Sequence, residues 1–71
     1  MDEKIEGLWK LCEAWERCFV SDDVDEAVEY EEGAKALLAD INCELAASEP
    51  LATRYGPDVA VVIERFPMLE G

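Results

Sequence analysis

Apolar residues recur every three or four positions along most of this chain, the period that a helix buried on one side requires. Ile5, Leu8, Cys12, Trp15 and Phe19 form a first stripe, widened by Trp9 and Leu11. Its opposite face carries Glu6, Lys10, Glu13 and Arg17 as two i,i+4 pairs with the acid first, each contributing a few tenths of a kcal/mol. A second stripe, Val24, Ala27, Val28, Ala34, Leu38, Ile41 and Leu45, holds helical phase for about six turns. Between them, Ser21, Asp22 and Asp23 are good N-cap types, and Glu26 follows Asp23 at capping-box spacing. Gly33 interrupts the second stripe at a cost of about 1 kcal/mol relative to Ala, which predicts a kink or a split into two helices there.

Downstream, Ser48, Glu49 and Pro50 stop the pattern, with Ser48 or Glu49 as cap for a new helix. A short helical turn from Pro50 to Tyr55 is expected to close at Gly56, and Pro57 to open a last segment. That segment, PDVAVVIERF, is β-favouring in composition, but Val59, Val62, Ile63 and Phe66 share a helical face. Helix is the preferred reading, because no second strand exists for it to pair with. Pro67 ends it and MLEG reads as a loose tail. The expected object is all-α: one domain, residues 1–71, folded as a small compact bundle of three to four helices. A chain this short buries only about 60% of its unfolded surface, so its stability depends on a well-packed core.

Charge is the second constraint. Eighteen acidic residues face six basic ones, for a net charge of −12. Such a surface repels nucleic-acid phosphates and anionic membranes, so direct binding to either is not expected. No run approaches the roughly 20 apolar residues of a membrane helix, and MDEKIEG is acidic where a signal peptide is basic. Cys12, Cys18 and Cys43 are odd in number and lack CxxC spacing, and the chain has no His. Three reduced thiols acting as small apolar residues in the cytoplasm fit best.

The acid is concentrated. Ser21 to Gly33, SDDVDEAVEYEEG, holds seven carboxylates and no basic residue. At about 100° per residue, Asp22, Asp25, Glu26, Glu29 and Glu32 fall within an arc of roughly 120°, and Asp40 and Glu44 return to it. On a straight helix this stripe runs about 33 Å, close to one turn of B-DNA. Part of the charge has local reasons: Asp22, Asp23, Asp25 and Glu26 lie in a first helical turn, where caps and the macrodipole favour acids, and Glu31 has Lys35 four residues on. Glu29 and Glu32 beside Asp25 have no basic neighbour at i±3 or i±4 on that face, and such like-charge spacing is mildly destabilising. A solvated acidic face and a functional anionic surface are the two readings of that residue set.

Catalytic and metal chemistries find no constellation. An EF-hand started at Asp23 places Ala27 and Val28 at the fifth and sixth positions, where an oxygen ligand and glycine belong. Carboxylate pairs for glycoside hydrolysis need a cleft and an acid in an apolar site, which one exposed helix does not offer. With no His and no phosphate-binding glycine loop, and only Ser21 and Ser48 as serines, nucleophilic and phosphoryl-transfer chemistry lack candidates. No enzyme, cofactor or bound metal is expected. Acyl carrier proteins share the size and acidity, but Val-Ser-Asp and Ala-Ser-Glu are not their Asp-Ser-Leu motif.

In size, acidity and helical pattern, and most of all in SDDVDEAVEYEEG, the chain resembles the small acidic DNA mimics of phages and mobile elements, including several anti-CRISPR proteins. The resemblance spans the whole chain in composition and contains no diagnostic motif. It implies an inhibitor, acting in the host cytoplasm, that occupies the Lys/Arg channel of a basic nucleic-acid-binding protein or complex, such as a CRISPR effector. The stripe residues Asp22, Asp25, Glu26, Glu29, Glu32, Asp40 and Glu44 are the candidate contacts. The alternative is a helical interaction module, adaptor or antitoxin-like, that binds through an apolar patch drawn from Trp9, Leu11, Val61, Met68 and Leu69.

Overall fold

The computed structural model describes residues 1–70 as three α-helices, α1 (Asp2–Val20), α2 (Val24–Ala47) and α3 (Glu49–Arg65), followed by a 3-10 turn at Pro67–Glu70. The described residues contain no strand, and PDVAVVIERF is helical. Short connections make successive helices antiparallel, so α1 and α3 run the same way, and Glu16 of α1 meets Arg65 of α3 directly.

The first connection explains why the chain reverses at Ser21. Asp22 takes a left-handed conformation with φ 63°, and the Asp23 N–H donates to the Cys18 carbonyl at 2.8 Å. This is the Schellman closure of a helix, with Asp in the place where glycine is usual. Asp23 then caps α2 through its backbone, its carbonyl accepting from the Ala27 N–H at 3.1 Å, but its side chain makes no cap bond. The expected capping box does not form. A capping box needs the Asp23 N–H free for Glu26, and that N–H is already donated to Cys18.

Gly33 does not split α2, which runs unbroken for 24 residues. Its missing side chain faces α1: a Cβ there would stand 3.9 Å from the Leu11 methyls, and one at Gly7 of α1 would stand 3.6 Å from Leu37. Both are ordinary van der Waals distances, so the packing of α1 on α2 leaves room for a Cβ at either position, and each helix carries its glycine through despite the poor propensity.

The Gly56–Pro57 pair also fails to end a helix, contrary to expectation; α3 passes through it. Pro57 removes one N–H, but Thr53, whose carbonyl loses that partner, and Pro57 itself are exposed to water. On the other side Tyr55, Val59, Val62 and Phe66 all bury into one core, and that shared burial overrides the local break. Nor is the end of the chain loose as far as Glu70. The turn at Pro67–Glu70 tucks Leu69 into the core.

A single apolar cluster joins the elements: Ile5, Leu8 and Cys12 from α1, Ala34, Leu38 and Ile41 from α2, and the α3 residues with Leu69. Trp9 sits edge-on to Phe66 at 5.7 Å between ring centroids. Among the described residues no helix is long and apolar enough to cross a membrane. The molecule is elongated, 41 × 21 × 17 Å, because α2 with 24 residues outreaches α3 with 17.

Candidate acidic face

The seven predicted stripe residues separate into three groups. Asp22 lies off the helix, in the turn that closes α1, so it does not belong to the line. Asp40 and Glu44 remain in phase on the unbroken helix, but their charge is partly met from α1. Lys4 Nζ donates to Asp40 Oδ2 at 2.6 Å and to Glu44 Oε2 at 2.7 Å. The two carboxylates raise the Lys4 pKa through those hydrogen bonds, Asp40 first. The predicted 33 Å line of free charge therefore does not exist.

What remains is Asp25, Glu26, Glu29 and Glu32, all exposed and without an ion pair among the described residues. Asp25, Glu29 and Glu32 lie within about 40° of the direction opposite the core line of Ala27, Ala34 and Leu38. They span about 10 Å along the axis, matching about three nucleotides of one strand. Further along, exposed Ala36 and Cys43 take over the same outward face. Glu26 points back toward α1, where it shares a shallow groove with Arg17, Cys18, Asp23 and Tyr30. Burial raises the Cys18 thiol pKa, the nearby Glu26 and Asp23 charges add to this, and Arg17 opposes them.

Elsewhere three further ion pairs form, while Glu3, Glu13, Glu49, Asp58 and Glu64 are also exposed and unpaired among the described residues. Glu6–Lys10 and Glu31–Lys35 form as expected, at 3.4 and 3.9 Å. Glu13 and Arg17 do not pair; Glu16 meets Arg65 of α3 instead, at 2.9 Å. Of the three cysteines Cys12 and Cys18 are buried, whereas Cys43 is exposed rather than a small core residue. No group of three or more metal-ligating side chains comes together among the described residues.

The apolar patch expected of an interaction module is also relocated. Leu69 is buried, and Trp9, Leu11 and Met68 pack against the core, which leaves Val61 alone of that set exposed. The exposed large apolar residues gather instead at the α1–α2 turn: Phe19, Val20, Val24 and Val28, at 53%, 87%, 54% and 50% exposure. Phe19, Val24 and Val28 were core positions by phase. The signal that could have found them is the length of α3, hidden by reading Gly56–Pro57 as a break.

The geometry defines a three-helix antiparallel bundle with an acidic, partly apolar hairpin tip. No protein-family model, no curated protein and no solved structure matches this chain.

Proposed function

We propose that this protein is a non-enzymatic inhibitor, of the anti-CRISPR type, that presents nucleic-acid-like charge to a basic nucleic-acid-binding protein or complex in the host cytoplasm. The observation that carries the reading is the row Asp25, Glu29 and Glu32, held outward on an unbroken helix with no cation paired to it among the described residues. A rigid helix fixes the spacing of the three carboxylates before binding, so little ordering entropy is lost when Lys or Arg side chains close on them. Opposite fields speed association and make affinity fall steeply with salt. The footprint is a short one, a few phosphates long, so it blocks the entry or anchor point of a channel rather than filling it.

The test is capture of binders from a bacterial lysate on the immobilised chain with a salt gradient, followed by competition against duplex DNA for whatever nucleic-acid-binding complex elutes. Reversing the row (Asp25→Lys, Glu29→Lys, Glu32→Lys) should weaken binding about a hundredfold or more and leave the helical circular dichroism intact. Unchanged affinity of that triple variant for the captured complex would sink the proposal.

A further inference from the structure

At the base of the molecule α3 covers the groove between α1 and α2. At the tip, by contrast, Phe19, Val20, Val24 and Val28 remain half or more exposed among the described residues. Arg65, the last residue of α3, reaches Glu16, so Phe19 and Val20 lie beyond its end. Phe19 nevertheless keeps the phase of Leu8 and Cys12, both fully buried lower on α1. On α2, α1 takes the flank of Gly33, Asp40 and Glu44. Val24 and Val28, one turn apart, lie toward the other flank, the one left to α3 lower down. Trp15 backs Phe19 edge-on at 4.8 Å, which fixes the floor of the site from below. The hairpin thus continues the seat of a third helix for about two turns past the point where its own third helix stops.

We infer that this seat receives an amphipathic helix of a basic partner, its apolar side on Phe19, Val20, Val24 and Val28 and its Lys/Arg flanks against the neighbouring acids. Charge complementarity selects this occupant. Asp25 and Glu32 flank Val28 on the outer side of α2, three and four residues away, and Asp22 and Asp23 lie in the turn between Val20 and Val24; all four are exposed and none is ion-paired among the described residues. A second copy of the chain would bring two such acidic margins together, each on a molecule of charge −12. A basic helix instead neutralises the margin while removing the valines and phenylalanine from water, as helix-in-groove recognition does. The inference rests on the reading of a basic partner and adds the apolar seat as the feature that fixes its register.

Two synthetic peptides of equal length, composition and positive charge serve as probes: one with leucines at i, i+3, i+4 and i+7 among lysines, one with the same leucines scattered off that period. Titrated into the 15N-labelled chain at 0.15 M salt, the amphipathic peptide should bind about tenfold tighter than the scattered one, with shift changes centred on Phe19, Val20, Val24 and Val28. The variant Val24→Ser, Val28→Ser should erase that preference and keep the weaker, salt-sensitive binding common to both peptides. These valines are half exposed, so the variant should keep its fold, checked by its amide spectrum. Equal affinities for the two peptides, or a preference that survives the double variant, overturn the seat. Concentration-dependent dimerisation of the wild type that the double variant abolishes assigns the seat to a second copy and overturns the basic occupant. The Asp25→Lys, Glu29→Lys, Glu32→Lys variant separates the two proposals: if it binds the scattered peptide as well as wild type does, the charge reading fails, while the seat stands or falls on the preference alone.

Discussion

The two ends of this bundle are built from the same kinds of residues and end up physically unlike. At the base, the apolar stripes of α1 and α2 are roofed by α3, and the in-phase acids Asp40 and Glu44 are held by Lys4. At the tip, the same stripes run on as Phe19, Val24 and Val28 without a roof, and Asp25, Glu29 and Glu32 have no cation among the described residues. The difference arises from one length: α2 exceeds α3 by about two turns. A helix pair that outruns its third partner leaves both its apolar seat and its charge to be satisfied by something else.

Replacing core against tip residues probes this comparison with the largest effect. Ile41→Ala removes a fully buried side chain and should cost about 2–5 kcal/mol, enough to leave a small domain mostly unfolded. Val28→Ala at the tip should change stability by less than about 0.5 kcal/mol. Urea denaturation followed by helical circular dichroism measures both. A tip substitution as costly as the core one would mean that the seat is already filled within the molecule.

Alkaline pH should weaken the base next. Burial pushes the Cys12 thiol from its ordinary 9.0 up to about 11, and Lys4 titrates above its ordinary 10.5 because Asp40 and Glu44 hold its proton. Both groups have raised pKa values in the folded state: the Cys12 contribution is whole below pH 9 and is lost as pH climbs through about 11, whereas the Lys4 contribution is whole below 10.5 and is lost only above it. The Cys12 part is on the order of 2 kcal/mol. Melting temperature measured from pH 8 to 11 should fall across that window, and Cys12→Ala should flatten part of the fall. No fall across the window in the wild type would refute the account of Cys12 as a desolvated thiol.

Much of the fold was legible from helical period alone: both long helices, the helical reading of PDVAVVIERF, and the reversal near Ser21 all follow from local pattern. What local pattern misread were the places where tertiary contacts outvoted it. Local chemistry makes Pro57 a helix start because proline breaks helices, yet Tyr55 and Val59 bury together across it. The candidate face was misread for the same reason. Sequence spacing put Asp40 and Glu44 on the acidic arc correctly, but the Lys4 that bridges them and offsets one of their two charges is 36 and 40 residues away and reaches them only through the packing of α1 on α2. The exposed tip was invisible because an apolar residue in phase looks like core until the length of its covering helix is known.

Gly33 stands between the two ends, and its replacement gives the smallest and sharpest test of whether they belong to one rod. In an unbroken helix an added Cβ meets only the Leu11 methyls at 3.9 Å, an ordinary contact, while alanine restricts the unfolded chain more than glycine does. Gly33→Ala should therefore raise stability by about 0.5–1 kcal/mol, read as a higher urea midpoint at unchanged slope. If α2 needed glycine to bend there, the same change would lower the midpoint. The direction also bears on the tip. A stiffer α2 should leave the affinity for a basic ligand unchanged or tighten it, because Asp25, Glu29 and Glu32 lie on one side of Gly33 and the Lys4 clamp on the other. A loss of affinity accompanying a gain of stability would show that the tip must swing relative to the base to bind, and that the carboxylate row is not the preset surface on which its proposed role depends.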